Sequence, residues 1–285
     1  MTAPAVERGA PERPPAPRVA SRRRSPLVRA LRTWLPPVVF LALLLEGWEL
    51  WVGLKHEASY VLPTPVAISK ALYDSRHVLG GHVATTLEET LIGLLVGTVA
   101  GVALAIAISA IPFVRRAVWP LVVTSQTIPM LVLAPLLALG FGFGMAPKVV
   151  VVALIVFFPV AVSTVAGLAS ADREQVDLVR SMGASSVEVL RLVLLPSALP
   201  DFFSGLKIAA TYAVAGAVIG EWVGGSSGLM IFINRSERSY RTDQVYAGVA
   251  MIAVLSMALF GCVELIARRA MPWRRPSRPR PQESP

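Results

Sequence analysis

VVVVALIVFFPVAVSTVAGLASA, residues Val149–Ala171, contains no charged side chain. A helix needs roughly 20 mostly apolar residues to cross the hydrocarbon of a bilayer. This run is long enough, and it is bounded by Lys148 and Asp172. Lipid can cover such a segment, whereas a water-facing helix of this length would need a polar stripe.

Outward from it, the same pattern recurs. Thr90–Ile111 and Gln244–Val263 are also charge-free. So is Ala117–Pro147, which includes Pro120, Pro129 and Pro135 and is expected to kink at Pro129 and Pro135. Phe202–Gly220 has one charge, Lys207. Trp34–Leu54 has Pro36 and Pro37 near its start and Glu46 and Glu49 inside. These runs give an all-α integral membrane fold with six transmembrane helices, near 35–54, 87–110, 118–141, 149–170, 202–222 and 244–266. Composition agrees: the chain is 54% hydrophobic and only 16% charged, where soluble domains carry about 25% charge.

Lys and Arg in the connections set orientation. Six spans put both tails on one side, together with the 115–116 loop and the 171–200 segment. That side holds 19 of the 27 Lys and Arg, against 7 on the other. Both termini are therefore expected in the cytoplasm of a multi-pass protein of the cell membrane. Residues 1–32, rich in Pro, Arg and Ala, read as a disordered basic tail, and 271–285 as a second basic tail. Basic clusters can bind nucleic-acid phosphate, but beside membrane spans these tails read instead as stop-transfer charge that attracts anionic lipid, and no nucleic-acid partner is expected.

Other chemistry is sparse. Cys262 is the sole cysteine and lies in an apolar run, where it reads as a packing residue. His56, His77 and His82 lack metal-ligand spacing and read as solvated loop residues. No metal, cofactor or catalytic residue is expected. There is no G-x-x-x-x-G-K-[ST] loop to cradle ATP. A membrane-embedded enzyme would need polar residues clustered at one depth, and a channel a charged ring or filter; neither pattern stands out.

One segment does. Between the fourth and fifth spans, residues 171–200 carry SMGASSVEVLRLVLLPSALP at 181–200. Charges at Asp172, Arg173, Glu174, Asp177, Arg180, Glu188 and Arg191 alternate with Val176, Val179, Met182, Val187, Leu190 and Val193, a partly helical spacing with one apolar edge. Gly183 permits a left-handed turn that would split the stretch into two short helices at an angle. Pro196 lacks a backbone N–H, and Pro200 fits the first turn of the next span. The expected product is a compact elbow, either an anchor on the membrane surface or a docking knob for a partner.

Its spacing resembles the EAA loop of ABC importer permeases: Glu-Ala-Ala, three residues, Gly, nine residues, Ile, one residue, Leu-Pro. Here Asp177-Leu178-Val179, Gly183, Val193 and Leu195-Pro196 fall at those places. VLPTPVAISKAL (61–72), the run at 125–168 and GLKIAATYAVAGAVIGEWVGGSSGLM (205–230) are similar to the nitrate, sulfonate, taurine and pyrimidine-precursor branch, with Met230 where a Gly is usual. The resemblance implies a type I ABC importer permease fold over 33–270 with a cytoplasmic coupling helix. It implies partners as well: two copies of a cytoplasmic ATP-binding subunit, an extracytoplasmic binding protein, and a second, identical permease subunit. ATP hydrolysis would belong to the separate subunit, making this chain no enzyme. Asp177, Arg180, Ser181, Met182, Gly183, Ala184, Leu195 and Pro196 are the expected ATPase-coupling residues. Pro129, Met130, Tyr212 and Glu221 are candidates for the translocation pathway. In HVATTLEETLIG (82–93), Glu89 stands where sulfonate and nitrate relatives often carry Arg. That points to a hydroxymethylpyrimidine or other thiamine-precursor ligand, with aliphatic sulfonate, taurine or nitrate as the alternatives.

Overall fold

The computed structural model describes residues 26–55 and 61–274, and all their regular structure is helical. His56 and the remainder of both tails lie outside those residues. The chain divides into two units at Leu50/Trp51. The first ends within α1 (Pro26–Lys55). That helix begins inside the stretch expected to be a tail through residue 32, with Pro26 at its first position, where a missing N–H costs nothing.

The second unit contains α2 (Pro65–Asp74), α3 (Arg76–Ala110), α4 (Pro112–Ser125), α5 (Met130–Phe141) and α6 (Met145–Ala169). They are followed by α7 (Arg173–Ser181), α8 (Ser186–Val189), a π turn (Leu190–Leu194), α9 (Leu195–Gly224), α10 (Leu229–Arg238) and α11 (Thr242–Ala270). Five described helices are long and apolar enough to cross a membrane, and six crossings result if α4 and α5 count as one. That pair is bent by 103°. The apolar stretch expected to be one kinked crossing at 118–141 is thus two helices. Pro129 has no N–H to continue the ladder and biases Ile128 out of the α region. Pro120 and Pro135 lie inside α4 and α5 without ending them.

The core forms where α6 packs between α3 and α9. Val152, Val156 and Val160, one helical turn apart on α6, are fully buried against Ala209, Ala210, Ala213, Val214 and Ala217 of α9. On α3, Gly93, Gly97 and Gly101 face the same valines. Small residues at four-residue spacing let helix backbones approach in a membrane, where packing rather than hydrophobicity drives association. A Cβ on Gly97 would lie 2.5 Å from the Ala153 carbonyl oxygen. On α9, a Cβ on Gly205 would lie 2.6 Å from the Pro159 carbonyl oxygen. Gly97→Val is therefore expected to cost about 1–3 kcal/mol or more by overpacking. Gly80, whose Cβ would meet nothing within 4 Å, should accept Ala without loss. Thermal unfolding of the two purified variants compares them directly.

Candidate functional site

The elbow at 172–196 is built by local capping. The Asp172 side chain accepts from the Glu174 N–H at 2.9 Å, opening α7. Gly183, at φ +88°, closes it: its N–H donates to the Arg180 carbonyl at 2.9 Å, and that of Ala184 to the Val179 carbonyl at 3.3 Å. Ser185 and Glu188 then form a reciprocal capping box that starts α8. The π turn follows, and α9 begins at Leu195-Pro196.

Val189 and Val193 are buried toward the bundle. Leu190, Leu194 and Leu195 pack on a cluster of Ala105 (α3), Leu168 (α6) and Ala198 (α9). The elbow is thus seated on the ends of three core helices. Its other surface is open: Leu178 is 61% exposed, Met182 78% and Val187 72%. Asp177, Arg180, Ser181 and Gly183 share that open surface, Ala184 is half-buried, and Leu195 and Pro196 stand at the base. Ser181 Oγ is spent locally on the Leu178 carbonyl. All eight expected coupling residues therefore occupy one projection. It combines exposed apolar side chains with charged ones.

A second polar centre lies at the opposite end of the bundle. His82, Thr86 and Glu89 follow one another at turn spacing along α3 and are all buried. Three successive backbone N–H groups at the start of α10 are taken up there and behind them. Gly228 N–H donates to His82 Nδ1 (3.0 Å), Leu229 N–H to Thr86 Oγ1 (2.9 Å) and Met230 N–H to Glu221 Oε2 (2.7 Å). Thr86 Oγ1 in turn donates to Glu221 Oε1. A helix N-terminus has unpaired donors and partial positive charge, which a carboxylate complements. Gly228 has φ +126°, and a Cβ there would overlap the Glu221 carboxylate. Next to this clamp, Lys148 Nζ of α6 meets Glu89 Oε1 at 2.6 Å, with both side chains under a tenth exposed.

These positions correct two readings. His82 is not a solvated loop residue, because α3 starts at Arg76 and carries it inward. Cys262 is not packed in the core; it is exposed on α11. The pathway candidates are dispersed. Pro129 and Met130 stand at the α4–α5 bend, Tyr212 is 58% exposed midway along α9, and Glu221 is fully buried in the clamp. Lys207 reaches Glu264 of α11 at 3.0 Å, tying two spans together. The Glu89–Lys148 pairing was not expected: in the sequence Glu89 stands out only as a ligand cue and Lys148 only as the charge before an apolar run.

Residues 93–274, more than half of the chain, match the family described as "binding-protein-dependent transport system inner membrane component". The chain is 35% identical to the formylaminopyrimidine transport permease protein ThiX of Halalkalibacterium halodurans, over 85% of this chain and 96% of that one. It is 30% identical to the taurine transport system permease protein TauC of Escherichia coli, covering 82% and 87% respectively. Among solved structures, the inward-facing MetNI methionine ABC transporter aligns with a TM-score of 0.61 at 21% identity, over 69% of this chain and 97% of that one, a likeness of fold. The chain belongs to the binding-protein-dependent transport system inner membrane component family, the permease subunits of ABC importers.

Proposed function

We propose that two copies of this chain enclose a pathway in the cytoplasmic membrane for a hydroxymethylpyrimidine-type thiamine precursor. An extracytoplasmic binding protein delivers the ligand, and two cytoplasmic ATP-binding subunits drive transport. Both termini and the elbow face the cytoplasm in this reading. ABC importer permeases work with separate ATP-binding subunits and binding proteins, and the ATPase activity lies in the former. The observation that carries the ligand assignment is the 35% identity to a formylaminopyrimidine permease across nearly all of that protein. The taurine permease, at 30% over a similar span, keeps sulfonates as the second reading.

The elbow is the lever of this proposal. Closure of the ATP-binding subunits would carry α7 and α8 with it. Because Val189 and Val193 are buried and Leu195 starts α9, that displacement would pass directly into a core span. Pro129, Met130 and Tyr212 would line the passage, and Glu221 would hold the loop at its outer mouth.

Two measurements test the proposal. An Arg180→Cys chain in intact cells, with Cys262 changed to Ser, should react with a membrane-impermeant maleimide only after the membrane is opened; labelling from outside would reverse the orientation. Proteoliposomes holding the permease, its ATPase and its binding protein should accumulate hydroxymethylpyrimidine on ATP addition. Accumulation of taurine in its place would transfer the assignment to the sulfonate reading.

A further inference from the structure

Three ionisable side chains from three helices meet inside the end of the bundle opposite the elbow. Glu89 of α3 is 2% exposed, Lys148 of α6 is 6% exposed, and Glu221 of α9 is fully buried. Lys148 Nζ holds Glu89 Oε1. The second Glu89 oxygen, Oε2, is buried and receives no hydrogen from a donor among the described residues. The Glu221 carboxyl stands within hydrogen-bonding reach of Glu89. We infer that the Glu89–Glu221 pair binds one proton, and that this proton latches the start of α10 to α3 and α9.

Two ionised carboxylates cannot hydrogen-bond each other, because each only accepts. Like charges in contact inside a protein are resolved by a shared proton unless a counter-charge meets each of them. Here one ammonium balances one carboxylate. The other charged groups nearby do not balance the second. Arg235 of α10 is exposed and donates to the Ser226 carbonyl at 3.3 Å. Glu237 and Arg238, in the last turn of α10, are exposed too. His82 of α3 accepts the Gly228 N–H at Nδ1, so no proton sits on that nitrogen. Glu88 of α3 is exposed and adds only negative charge, and α5 has no ionisable side chain. With one proton on the pair, the cluster of Glu89, Glu221 and Lys148 is neutral.

Thr86 is also short of a hydrogen. Its Oγ1 receives the Leu229 N–H at 2.9 Å and has one hydrogen for two acceptors, the His82 carbonyl at 3.1 Å and Glu221 Oε1. A proton on the carboxyl pair relieves that shortage. Glu221 Oε2 meanwhile accepts the Met230 N–H at 2.7 Å, which is the hold on α10. Without the proton, two carboxylates face each other behind that N–H, and repulsion drives Glu221 away from it. The latch therefore holds while the pair keeps its proton and weakens as pH rises. Glu221→Gln reproduces the protonated form: its amide donates to Glu89 and Thr86, its carbonyl oxygen accepts from Met230, and it has no proton to lose. Glu89→Gln does the same from the other side, with its oxygen toward Lys148 and its amide toward Glu221.

The full chain in nanodiscs is read first by infrared difference spectroscopy over a pH series. At neutral pH it should show the C=O band of a protonated carboxyl, which fades as pH rises and is missing from Glu221→Gln and from Glu89→Gln. Hydrogen exchange gives the second reading. Between about pH 6 and about pH 9, exchange at amides 228–230, relative to the buried amides of α6, should rise at least about tenfold in the unaltered chain and less than about threefold in Glu221→Gln. Should Glu221→Gln misfold, seen as fast exchange in α6 itself, Glu89→Gln takes its place with the same expected result.

No protonated-carboxyl band at neutral pH, a band that both variants retain, or exchange that rises equally in the unaltered and variant chains overturns the proton site. The site belongs to the folded chain whatever solute is carried, so uptake assays separate the two claims. Loss of all ATP-driven uptake in proteoliposomes removes the import reading and leaves the spectra standing. Normal uptake by a chain that lacks the band removes the proton and leaves import intact.

Discussion

Lys148→Met should destabilise the folded chain by about 3–5 kcal/mol, the largest single effect expected of any substitution considered. Lys148 is 6% exposed and Glu89 2% exposed, and they meet at 2.6 Å. Removing the ammonium leaves the Glu89 carboxylate inside the protein beside that of Glu221, without its counter-charge. The pair also joins α3 to α6 at the end where no elbow braces them. Removing both charges, as Glu89→Gln with Lys148→Met, should restore most of the loss, because replacing a buried ion pair by uncharged groups is often close to neutral. Thermal unfolding of the three purified chains in detergent reads the cycle. Equal midpoints for Lys148→Met and the unaltered chain would mean that water reaches the pair and screens it.

Gly183→Trp should act in the opposite manner, sparing the fold and abolishing work. A Cβ at Gly183 meets nothing within 4 Å, so a large side chain has room within the chain itself. The positive φ of 88° imposes backbone strain of about 1–3 kcal/mol, confined to the turn between α7 and α8. The ring would project from the surface that carries Arg180 and Met182, where the proposed ATP-binding subunit sits. ATP-driven uptake should fall at least about tenfold, the consequence of roughly 1.4 kcal/mol lost at the contact, while membrane insertion persists and the unfolding midpoint falls no further than in Gly183→Ala. Gly183→Ala, with the same strain and no bulk, should keep most of its uptake. If both variants lose uptake equally, the turn geometry and not the docked surface is the sensitive feature.

The sequence disclosed the fold through its charge-free runs, and the elbow through Gly183 and Leu195-Pro196 at fixed spacing. Both are local signals: hydropathy along one segment, and backbone freedom or restriction at single residues. The break between α4 and α5 was only half visible. Several prolines share that run, yet only Pro129 stands at the break, and which proline does so depends on the packing around it. The clamp at the far end was visible only as separate residues, Glu89 and Glu221, and not as a set of contacts. Glu89 and Lys148 lie 59 residues apart, and Thr86 and Glu221 135 apart, so only the folded bundle brings them together. His82 was misread because the apolar run marks where α3 enters lipid, not where the helix starts. The Gly93-Gly97-Gly101 spacing was present in the sequence, but what it faces emerged only with α6 in place.

The claim on which the account turns is that the elbow is where an ATP-hydrolysing subunit pushes. With Cys262 changed to Ser, a single cysteine at Met182 in the assembled complex tests it by cross-linking. The expected result is an adduct between residue 182 and the ATP-binding subunit, with a yield that changes when nucleotide is added. No adduct at any nucleotide state, together with free reactivity of that cysteine in the active complex, would contradict the account.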